Sequence, residues 1–379
     1  MKSFDVYPLL DVEPVKANGC WLWDKNGNKY LDLYGGHAVI SIVHSHPHYV
    51  KKMAEQLEKI GFYSNSVHIP LQDELAEKLG TLSGYGDYNL FLCNSGAEAN
   101  ENALKLASFY NGRKKIISFS KAFHGRTSLA VATTDNKSIV APVNETENVL
   151  FLPFNDESAL ENAMNETICA VIIEGMQGVG GVNVPTDSFL QKSKSLCEKH
   201  NTVLILDEVQ SGYGRSGKFF SHQFSGIKPD LITTAKGMGN GFPIGGMLIN
   251  PKFTAKHHLL GTTFGGNHLA CVAGIAVLDV IKNEKLMMNA KAIGDYVISV
   301  LKKINGVKEV RGRGLMIGVE LEFPCEQIRN ELLFAHKIFT GSSSNKNTIR
   351  ILPPLTLSKE EAEIFLHAFA SVIKKTLVK

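Results

Sequence analysis

The sequence lacks an apolar run long enough to cross a lipid bilayer. One of its most apolar stretches, residues 269–278, spans only ten residues, whereas a membrane helix needs about 20. The N-terminal stretch also lacks a continuous apolar segment and contains Asp5, Asp11 and Glu13, unlike a secretory signal peptide. These absences predict a soluble protein of the cytoplasm.

The sequence also lacks paired cysteines and a marked excess of either charge. Its six cysteines show no C-x-x-C spacing, which favours reduced core residues over disulfides or a metal site. The net charge of +3 is spread along the chain, and no basic cluster indicates binding to nucleic acid. No predicted strand is followed by G-x-G-x-x-G, which argues against a dinucleotide-binding oxidoreductase.

What the chain does have is an alternation of short apolar runs and amphipathic segments. Strands are predicted at 89–93, 115–119, 149–152, 169–173, 203–206 and 230–234, and helices at 97–109, 156–164 and 187–200. Repeated βαβ units of this kind predict an α/β fold with a mostly parallel sheet and helices on both faces. After residue 266 a long apolar helix leads into an α+β segment, so the 379 residues are expected to form more than one domain.

Asp207 and Lys236 each follow one of these predicted strands. Because parallel strands end at the edge of an α/β sheet where ligands bind, we expect both side chains there. Lysine forms a Schiff base with carbonyl compounds, including pyridoxal 5′-phosphate (PLP). PLP also needs an acidic partner that keeps its pyridine nitrogen protonated. The pair predicts a PLP site, although alone each residue is more typical of a helix-capping aspartate or a solvated lysine.

Two further segments could bind parts of this cofactor or its substrate. Ser95, Gly96 and Ala97 lie between a predicted strand and a helix, where free backbone N–H groups can bind a phosphate. Phe123 and Arg126, in the loop A-F-H-G-R-T, could stack on a flat ring and pair with a carboxylate. Each signal alone is weak, since many helices begin with Ser-Gly and many arginines form only surface ion pairs.

Arg350 lies in the apolar segment I-R-I-L-P-P. A charge buried there needs a partner, which we predict to be either a buried carboxylate or a substrate. The glycines of segment 174–181 allow a close approach of the backbone, and the threonines of segment 261–267 offer hydroxyl groups to a phosphate.

Taken together, these segments resemble the class III, fold-type I PLP aminotransferases, and among them most the acetylornithine and succinylornithine aminotransferases. The resemblance covers essentially the whole chain and is carried by LDLYGGHAV, NSGAEANENALKLA, AFHGRT, LDEVQSGYGRSGKFF, AKGMGNGFPIGG, TTFGGNHLAC, VRGRGLMIGVEL and RILPPL. The pair D-E-V-Q and A-K at this spacing is highly specific for the class, and A-F-H-G-R-T favours the ornithine branch.

The resemblance implies a large domain with a mostly parallel seven-stranded sheet flanked by helices, and a smaller α+β domain. Residues 1–47 would form the N-terminal segment of the small domain, and residues 48–265 the large PLP-binding domain. Residues 266–379 would supply the linking helix and the C-terminal part of the small domain.

The resemblance also implies a role for each matching residue. The cofactor would be held by Lys236 (covalently), Asp207 (pyridine nitrogen), Val209 and Phe123 (ring faces), Gln210 (phenolic oxygen), and Ser95, Gly96 and Ala97 (phosphate). Thr263 of the partner subunit would complete the phosphate site, so the active unit would be a homodimer. Arg126 and Arg350 would bind the carboxylates of the substrates.

The implied reaction moves the terminal amine of N-acetylornithine or N-succinylornithine to the cofactor and then to 2-oxoglutarate. Lys236 would act as general acid and base between the two half-reactions, which yield an N-acyl-glutamate semialdehyde and glutamate in arginine biosynthesis. Small molecules and a second copy of the chain are the only partners implied, with no metal, nucleic acid or membrane.

Two positions depart from the family pattern. Val179 stands where the family usually has a glutamate that pairs with the arginine at position 350, so Arg350 is expected to have another partner or to stay open to carboxylates. His37 stands where the acetylornithine enzymes typically have an aliphatic residue. It is either a satisfied core histidine or a contact to the acyl or carboxylate end of the substrate, where an extra cation would suit a succinyl group.

Several alternatives stay open at this point. Within the enzyme class they are aminotransferases for ornithine, 4-aminobutyrate or another ω-amino acid, and an aminomutase acting on glutamate semialdehyde. A PLP-binding protein without turnover is the alternative of another class. The presence of the lysine, the aspartate, the phosphate segment and both arginines argues against it.

Overall fold

The computed structural model describes residues 1–378. Their strands are β1 Pro14–Asn18, β2 Trp21–Asp24, β3 Lys29–Asp32, β4 Asn89–Cys93, β5 Lys115–Phe119, β6 Val149–Leu152, β7 Ile168–Glu174, β8 Val203–Asp207, β9 Leu231–Thr234, β10 Gly245–Ile249, β11 Val307–Arg313, β12 Met316–Leu321, β13 Ile338–Phe339 and β14 Thr348–Ile351. Their helices are α1 Gly35–Ala38, α2 Pro47–Leu57, α3 Pro70–Ser83, α4 Gly96–Asn111, α5 Ser128–Ala132, α6 Glu157–Ala163, α7 Asp187–Lys199, α8 His268–Asn283, α9 Leu286–Leu301, α10 Glu326–Phe334 and α11 Lys359–Leu377.

A seven-stranded sheet forms the centre of the fold, in the order β4-β10-β9-β8-β7-β5-β6. Strands β9, β8, β7, β5 and β6 run parallel, whereas β10 is antiparallel to both of its neighbours. Every residue of β7, β8 and β9 is buried, which explains why these strands read as continuous apolar runs. The α/β fold class predicted from the sequence is confirmed.

Two smaller sheets lie outside the central one. Strands β1, β2, β3 and β13 form the first, and β11, β12 and β14 form the second. Because β13 pairs in parallel with β3, the N-terminal segment shares a sheet with the C-terminal part of the chain. This pairing supports the proposed grouping of residues 1–47 with residues 266–379 in one small domain.

Helix α8 links the central sheet to the C-terminal part of the chain. Eleven of its 16 residues are buried, in agreement with the predicted apolar helix. The six cysteines of the sequence are all buried and free. Among residues 1–378, no helix is both long and apolar enough to cross a bilayer.

Candidate active site

A cavity of about 370 Å³ lies at the carboxyl ends of β7, β8 and β9. The sequence-predicted site residues that line it are Ser95, Gly96, Ala97, Phe123, Arg126, Asp207, Val209, Gln210 and Lys236. The parallel register explains this grouping. Glu174 lies beside Asp207 on the neighbouring strand, and Asp207 lies beside Thr233, three residues before Lys236.

Helix α4 presents its N-terminus to the cavity. Ser95 caps this helix, and its Oγ accepts a hydrogen bond from the Glu98 N–H at 3.2 Å. The N–H groups of Gly96 and Ala97 precede the first intrahelical bond and have no partner among the described residues. Two free N–H groups at the positive end of a 16-residue helix can bind a phosphate.

Asp207 is a buried carboxylate whose two oxygens are held by three donors. Nδ1 of His124 donates to Oδ2 at 2.7 Å, and Nδ2 of Asn100 donates to the same oxygen at 2.8 Å. The backbone N–H of Val209 donates to Oδ1 at 3.0 Å. Fixed from three elements, this carboxylate is preorganised to hold a cationic group at the floor of the cavity.

Sequence reasoning assigned no role to Asn100 or to His124. Besides Asp207, the Asn100 side chain donates to the His124 carbonyl at 2.8 Å and accepts from the Thr233 hydroxyl at 2.6 Å. A polar residue on the apolar face of α4, among Ala99 and Ala103, was the signal that could have revealed it, because a buried amide needs partners.

Lys236 lies two residues after the end of β9 and begins a short 3₁₀ turn, Lys236–Met238. Its φ of 44° lies in the left-handed region, a strained conformation that in non-glycine residues is concentrated at functional sites. Burial lowers the pKa of the Lys236 amine, although the negative charges of Asp207 and Glu174 act to raise it. Its Nζ has no hydrogen bond or ion pair within residues 1–378, and the residue lines the cavity.

Glu174 ends β7 and ties together two loops around the cavity. Its Oε1 accepts from the Phe123 N–H at 3.0 Å, and its Oε2 accepts from the Gly178 N–H at 2.9 Å. Burial raises the pKa of this carboxyl to about 7. The sequence analysis treated Glu174 only as the start of a glycine-rich segment, yet it holds both the predicted stacking residue and that segment in place.

Arg126 is exposed at the edge of the cavity. Across the described part of the chain, its guanidinium makes no ion pair or hydrogen bond. An unpaired arginine beside a reactive lysine can bind a carboxylate in the bidentate geometry that guanidinium groups favour.

Arg350 has another partner, which is one of the two outcomes expected from the valine at position 179. The side chain is buried, with 3% of its surface exposed, but its partner is not a carboxylate. Its Nε donates to the Ser342 carbonyl and its Nη1 donates to Oε1 of Gln210 at 3.2 Å. The ring of Tyr34 lies 6.0 Å from the guanidinium carbon. Burial holds the pKa of Arg350 below its ordinary value.

His37 is not a core histidine, because its side chain is exposed and its ring lies 4.7 Å from that of Tyr34. Its φ of 69° is in the left-handed region, next to two glycines that share this conformation. Partial burial, together with the positive charges of Arg350 and Lys236, holds the pKa of His37 below its usual range. This shift favours the neutral imidazole over the extra cation considered from the sequence.

Thr263 lies on an exposed loop and does not line the cavity described for its own chain. The neighbouring Phe264 is 59% exposed and packs against Phe62, which is 43% exposed, with ring centroids 5.4 Å apart. This loop is therefore available to another molecule rather than to the cavity of the same subunit.

The residues around the cavity fit PLP. Free N–H groups at the α4 terminus suit the phosphate, Asp207 suits a protonated ring nitrogen, and the unpaired amine of Lys236 suits the aldehyde. Nε2 of His124, buried beside the same cavity, also has no partner among the described residues.

Comparison with known proteins adds a second line of evidence. The family model "Aminotransferase class-III" matches residues 5–373. The acetylornithine aminotransferase of Nitrosomonas europaea is 40% identical, over 97% of this chain and 96% of that protein. The acetylornithine aminotransferase of Archaeoglobus fulgidus is also 40% identical, over 94% of each chain.

Solved structures agree with the sequence relatives at the level of the fold. An ornithine aminotransferase from Toxoplasma gondii, described with partial occupancy of PLP at its active site, superposes with a TM-score of 0.91. It is 28% identical and covers 98% of this chain and 91% of its own. An (S)-enantioselective omega-transaminase from Thermomicrobium roseum has a TM-score of 0.90 at 28% identity, covering 99% and 96% of the two chains.

Proposed function

This chain belongs to the class-III aminotransferases, and we propose that it transfers the terminal amine of an N2-acylated ornithine to 2-oxoglutarate. Enzymes of this class depend on PLP, which is therefore the cofactor of this chain. The observation that carries the proposal is the convergence of Lys236, Asp207 and the α4 terminus on one cavity, in a chain 40% identical to acetylornithine aminotransferases.

PLP supplies an electron sink for the negative charge that develops beside the transferred nitrogen. The protein residues would hold it and move the proton. Asp207, fixed by His124, Asn100 and the Val209 N–H, would keep the ring nitrogen protonated. Burial lowers the pKa of Lys236, which favours the neutral amine, and this amine would accept the proton at Nζ and return it.

The two arginines give the site its choice of substrate. Arg126, unpaired at the cavity edge, and Arg350, buried behind Gln210, would each bind a carboxylate. Both 2-oxoglutarate and glutamate have two carboxylates, whereas an N-acylated ornithine has one next to the acylated nitrogen. We favour the acetyl donor over the succinyl donor because the 40% identical relatives are acetylornithine aminotransferases, and because the lowered pKa of His37 disfavours a cation for a succinyl carboxylate.

We further propose that the enzyme acts as a homodimer with an active site shared between subunits. The exposed Phe62–Phe264 pair and the exposed Thr263 beside it support this, since single chains rarely leave adjacent aromatic rings in water. Thr263 of the partner subunit would then approach the phosphate end of the cavity. Sedimentation of the Phe264→Asp variant tests the proposal. We expect a shift toward the monomer, and an unchanged dimer would contradict the proposal.

A location in the cytoplasm is part of the same proposal. It is supported by the six free, buried cysteines, which suit a reducing compartment. Fractionation of source cells, with activity recovered in the soluble cytoplasmic fraction, would be the expected result.

Ornithine is a second candidate substrate, because the Toxoplasma gondii structure that superposes on this chain with a TM-score of 0.91 is an ornithine aminotransferase. A half-reaction panel decides between them. The holoenzyme, without 2-oxoglutarate, is mixed in turn with N-acetylornithine, N-succinylornithine, ornithine, 4-aminobutyrate and glutamate, and the absorbance of the bound cofactor is followed.

We expect rapid conversion by N-acetylornithine and by glutamate. Conversion by ornithine or 4-aminobutyrate, with none by the acylated donors, would assign the chain to another substrate branch. No change with any donor would leave only a protein that binds PLP without turnover.

A further inference from the structure

The turn that begins at Lys236 has a strained backbone. Lys236 has a φ of 44° and Asn240, further along the same segment, has a φ of 49°. Both values lie in the left-handed region, where strain persists only if the surrounding structure fixes the backbone. The two backbone hydrogen bonds that close the turn end on the Ala235 and Lys236 carbonyls, which leaves the Gly237 carbonyl to be paired from outside. Contacts from other parts of the chain therefore have to hold Lys236 in place.

Four of these contacts come from residues 41–43, which we call the bracing loop. Oγ of Ser41 donates to the Gly237 carbonyl at 2.7 Å. Oδ1 of Asn240 accepts from the first two N–H groups of the bracing loop at 2.8 and 3.1 Å, and its Nδ2 donates to the last carbonyl of that loop at 2.8 Å. The bracing loop is thus bonded to the chain directly after Lys236 and to the strained Asn240.

The bracing loop is itself buried and fixed. Ser41 is 1% exposed and Asn240 is 7% exposed. The carbonyl of Ser41 accepts from the Leu355 N–H at 2.7 Å, and the guanidinium of Arg215 donates to the Ile40 carbonyl at 3.4 Å. A variant that lacks the Ser41 or the Asn240 side chain therefore leaves buried backbone groups without a partner.

The bracing loop lies in direct contact with the turn and next to the cavity. A Cβ on Gly237 would lie 3.3 Å from Cβ of Ser41, which leaves no gap between the two segments. Val39, just before the bracing loop, lines the cavity together with Lys236. A displacement of the bracing loop therefore displaces the turn that carries the reactive amine.

We propose that Ser41 and Asn240 are positioning residues that hold the Lys236 amine where it can exchange a proton with the substrate. The inference rests on the proposed function, which it deepens by naming the residues that set this geometry. Neither residue is among the described residues that line the cavity, so each acts through the turn rather than on the substrate. Proton transfer depends steeply on the position of the acceptor, and a misplacement of about 1 Å can cost roughly 10²-fold in rate.

The variants Ser41→Ala and Asn240→Gly test this in the glutamate half-reaction of the holoenzyme, followed by stopped-flow absorbance. Glycine adopts a φ of 49° without strain, so Asn240→Gly removes the amide and keeps the backbone path. We expect the rate at saturating glutamate to fall by about 10- to 100-fold, and the glutamate concentration at half-maximal rate to change by less than about threefold.

Ser45→Ala is the matched control. It also removes a hydrogen bond from a serine hydroxyl to a carbonyl, that of Ala17 at 2.9 Å, but at an exposed position that makes no contact with the Lys236 turn. This variant should react at the wild-type rate. Wild-type rates in Ser41→Ala and Asn240→Gly as well would overturn the inference.

Glutamate with deuterium at Cα identifies the step that is slowed. If the amine is misplaced, removal of the proton from this carbon limits the rate, so the isotope effect should be at least as large as in the wild type. A slowed reaction with a smaller isotope effect would place the loss in another step and overturn the inference. Equilibrium dialysis gives the PLP content of each variant, and a rate loss that only follows PLP content would also overturn it.

Amide hydrogen exchange of the holoenzyme tests the contact without turnover. The bracing loop and residues 236–240 should exchange faster in Asn240→Gly than in the wild type or in Ser45→Ala. Equal protection in all three proteins would contradict the proposed role of the Asn240 amide.

These measurements separate the inference from the proposed function. If glutamate is converted but N-acetylornithine is not, the assignment of the donor fails and the test of Ser41 and Asn240 is unaffected. If both are converted and the variants match the wild type, the inference fails and the function stands. If no donor is converted while exchange is faster in Asn240→Gly, the function fails and the support of the Lys236 turn by the bracing loop stands.

Discussion

Gly96 packs so tightly on Val209 that it leaves no room for a side chain, and Gly96→Ala therefore tests the geometry of the cofactor site. A Cβ at position 96 would lie 2.5 Å from Cγ1 and 2.9 Å from Cγ2 of Val209. Both distances are shorter than an ordinary contact of 3.4–4 Å. Both residues line the cavity, and the Val209 N–H is one of the three donors to Asp207. Either the α4 terminus or the turn after Asp207 has to move.

Overpacking of this kind costs about 1–3 kcal/mol. We expect the cost to fall on PLP binding, because the displaced groups are the Gly96 N–H and the turn that holds Asp207. A loss of that size corresponds to a roughly 5- to 150-fold weaker affinity. Equilibrium dialysis of each protein against PLP measures it directly.

Val209→Ala shortens the side chain that the new Cβ would meet. In a double-mutant cycle, the Gly96→Ala/Val209→Ala protein should bind PLP more tightly than the sum of the two single effects predicts. Gly86→Ala is the control, since a Cβ there would have its nearest neighbour at 4.0 Å, and it should bind like the wild type. Additive effects in the cycle would refute the reasoning.

Four further predictions concern residues around the same cavity. Lys236→Ala removes the amine that moves the proton, and the rate of the N-acetylornithine half-reaction should fall by about 10²- to 10⁴-fold in stopped-flow absorbance. Asn100→Leu removes the donor that lies 2.8 Å from Asp207, so PLP affinity in dialysis should fall by roughly tenfold. Glu174→Gln should change how stability depends on pH. Burial raises the pKa of this carboxyl from 4.5 to about 7, so the folded state binds the proton more tightly and the wild type loses stability as pH rises between these values. The loss should reach about 3 kcal/mol (2.5 pKa units at 1.36 kcal/mol each) by pH 8 in denaturant titrations, and the amide should not show it. Val179→Glu adds a carboxylate to the cavity lining, where we expect it to pair with Arg350, and glutamate should then bind about tenfold more weakly in its half-reaction.

Each of these predictions has an outcome that contradicts it. A rate loss below tenfold would show that Lys236 does not move the proton. Unchanged PLP affinity in Asn100→Leu would remove that residue from the support of Asp207. Parallel pH profiles for the wild type and Glu174→Gln would mean that the carboxyl is ionised throughout, and unchanged glutamate affinity in Val179→Glu would show that Arg350 is paired by other means.

The order of the central strands along the chain could be read from the sequence because most of them are short apolar runs, and β7, β8 and β9 are buried throughout. Strand β7 is longer than its predicted range by one residue at each end, and β8 is longer by one residue at its carboxyl end. Strand β10 was missed, since it begins with two glycines and is short, which gives it little of the β-branched pattern. Strands β1 and β13 and helix α10 were missed as well, because short or polar elements at an edge carry a weak periodic signal.

The sequence by itself determined the fold class and the family, and it predicted Asp207 and Lys236 as the chemically reactive pair. Asp207 and Lys236 could be singled out because Asp207 ends the buried strand β8 and Lys236 lies two residues after the buried strand β9, and strand ends are local features of the chain. Local features of this kind depend on residues within a few positions of each other. For the same reason, the motifs around Ser95 and Phe123 could be recognised in the sequence as candidate cofactor-binding segments.

Only the tertiary structure decided how charges are compensated. Asn100 and His124 meet Asp207 from positions 107 and 83 residues away, and Gln210 meets Arg350 across 140 residues. Whether Arg350 pairs with a carboxylate or with an amide, and whether His37 is buried or exposed, depends on which side chains the fold brings within hydrogen-bond distance. Burial, which sets the pKa values of Lys236 and Glu174, is likewise a property of the packed chain.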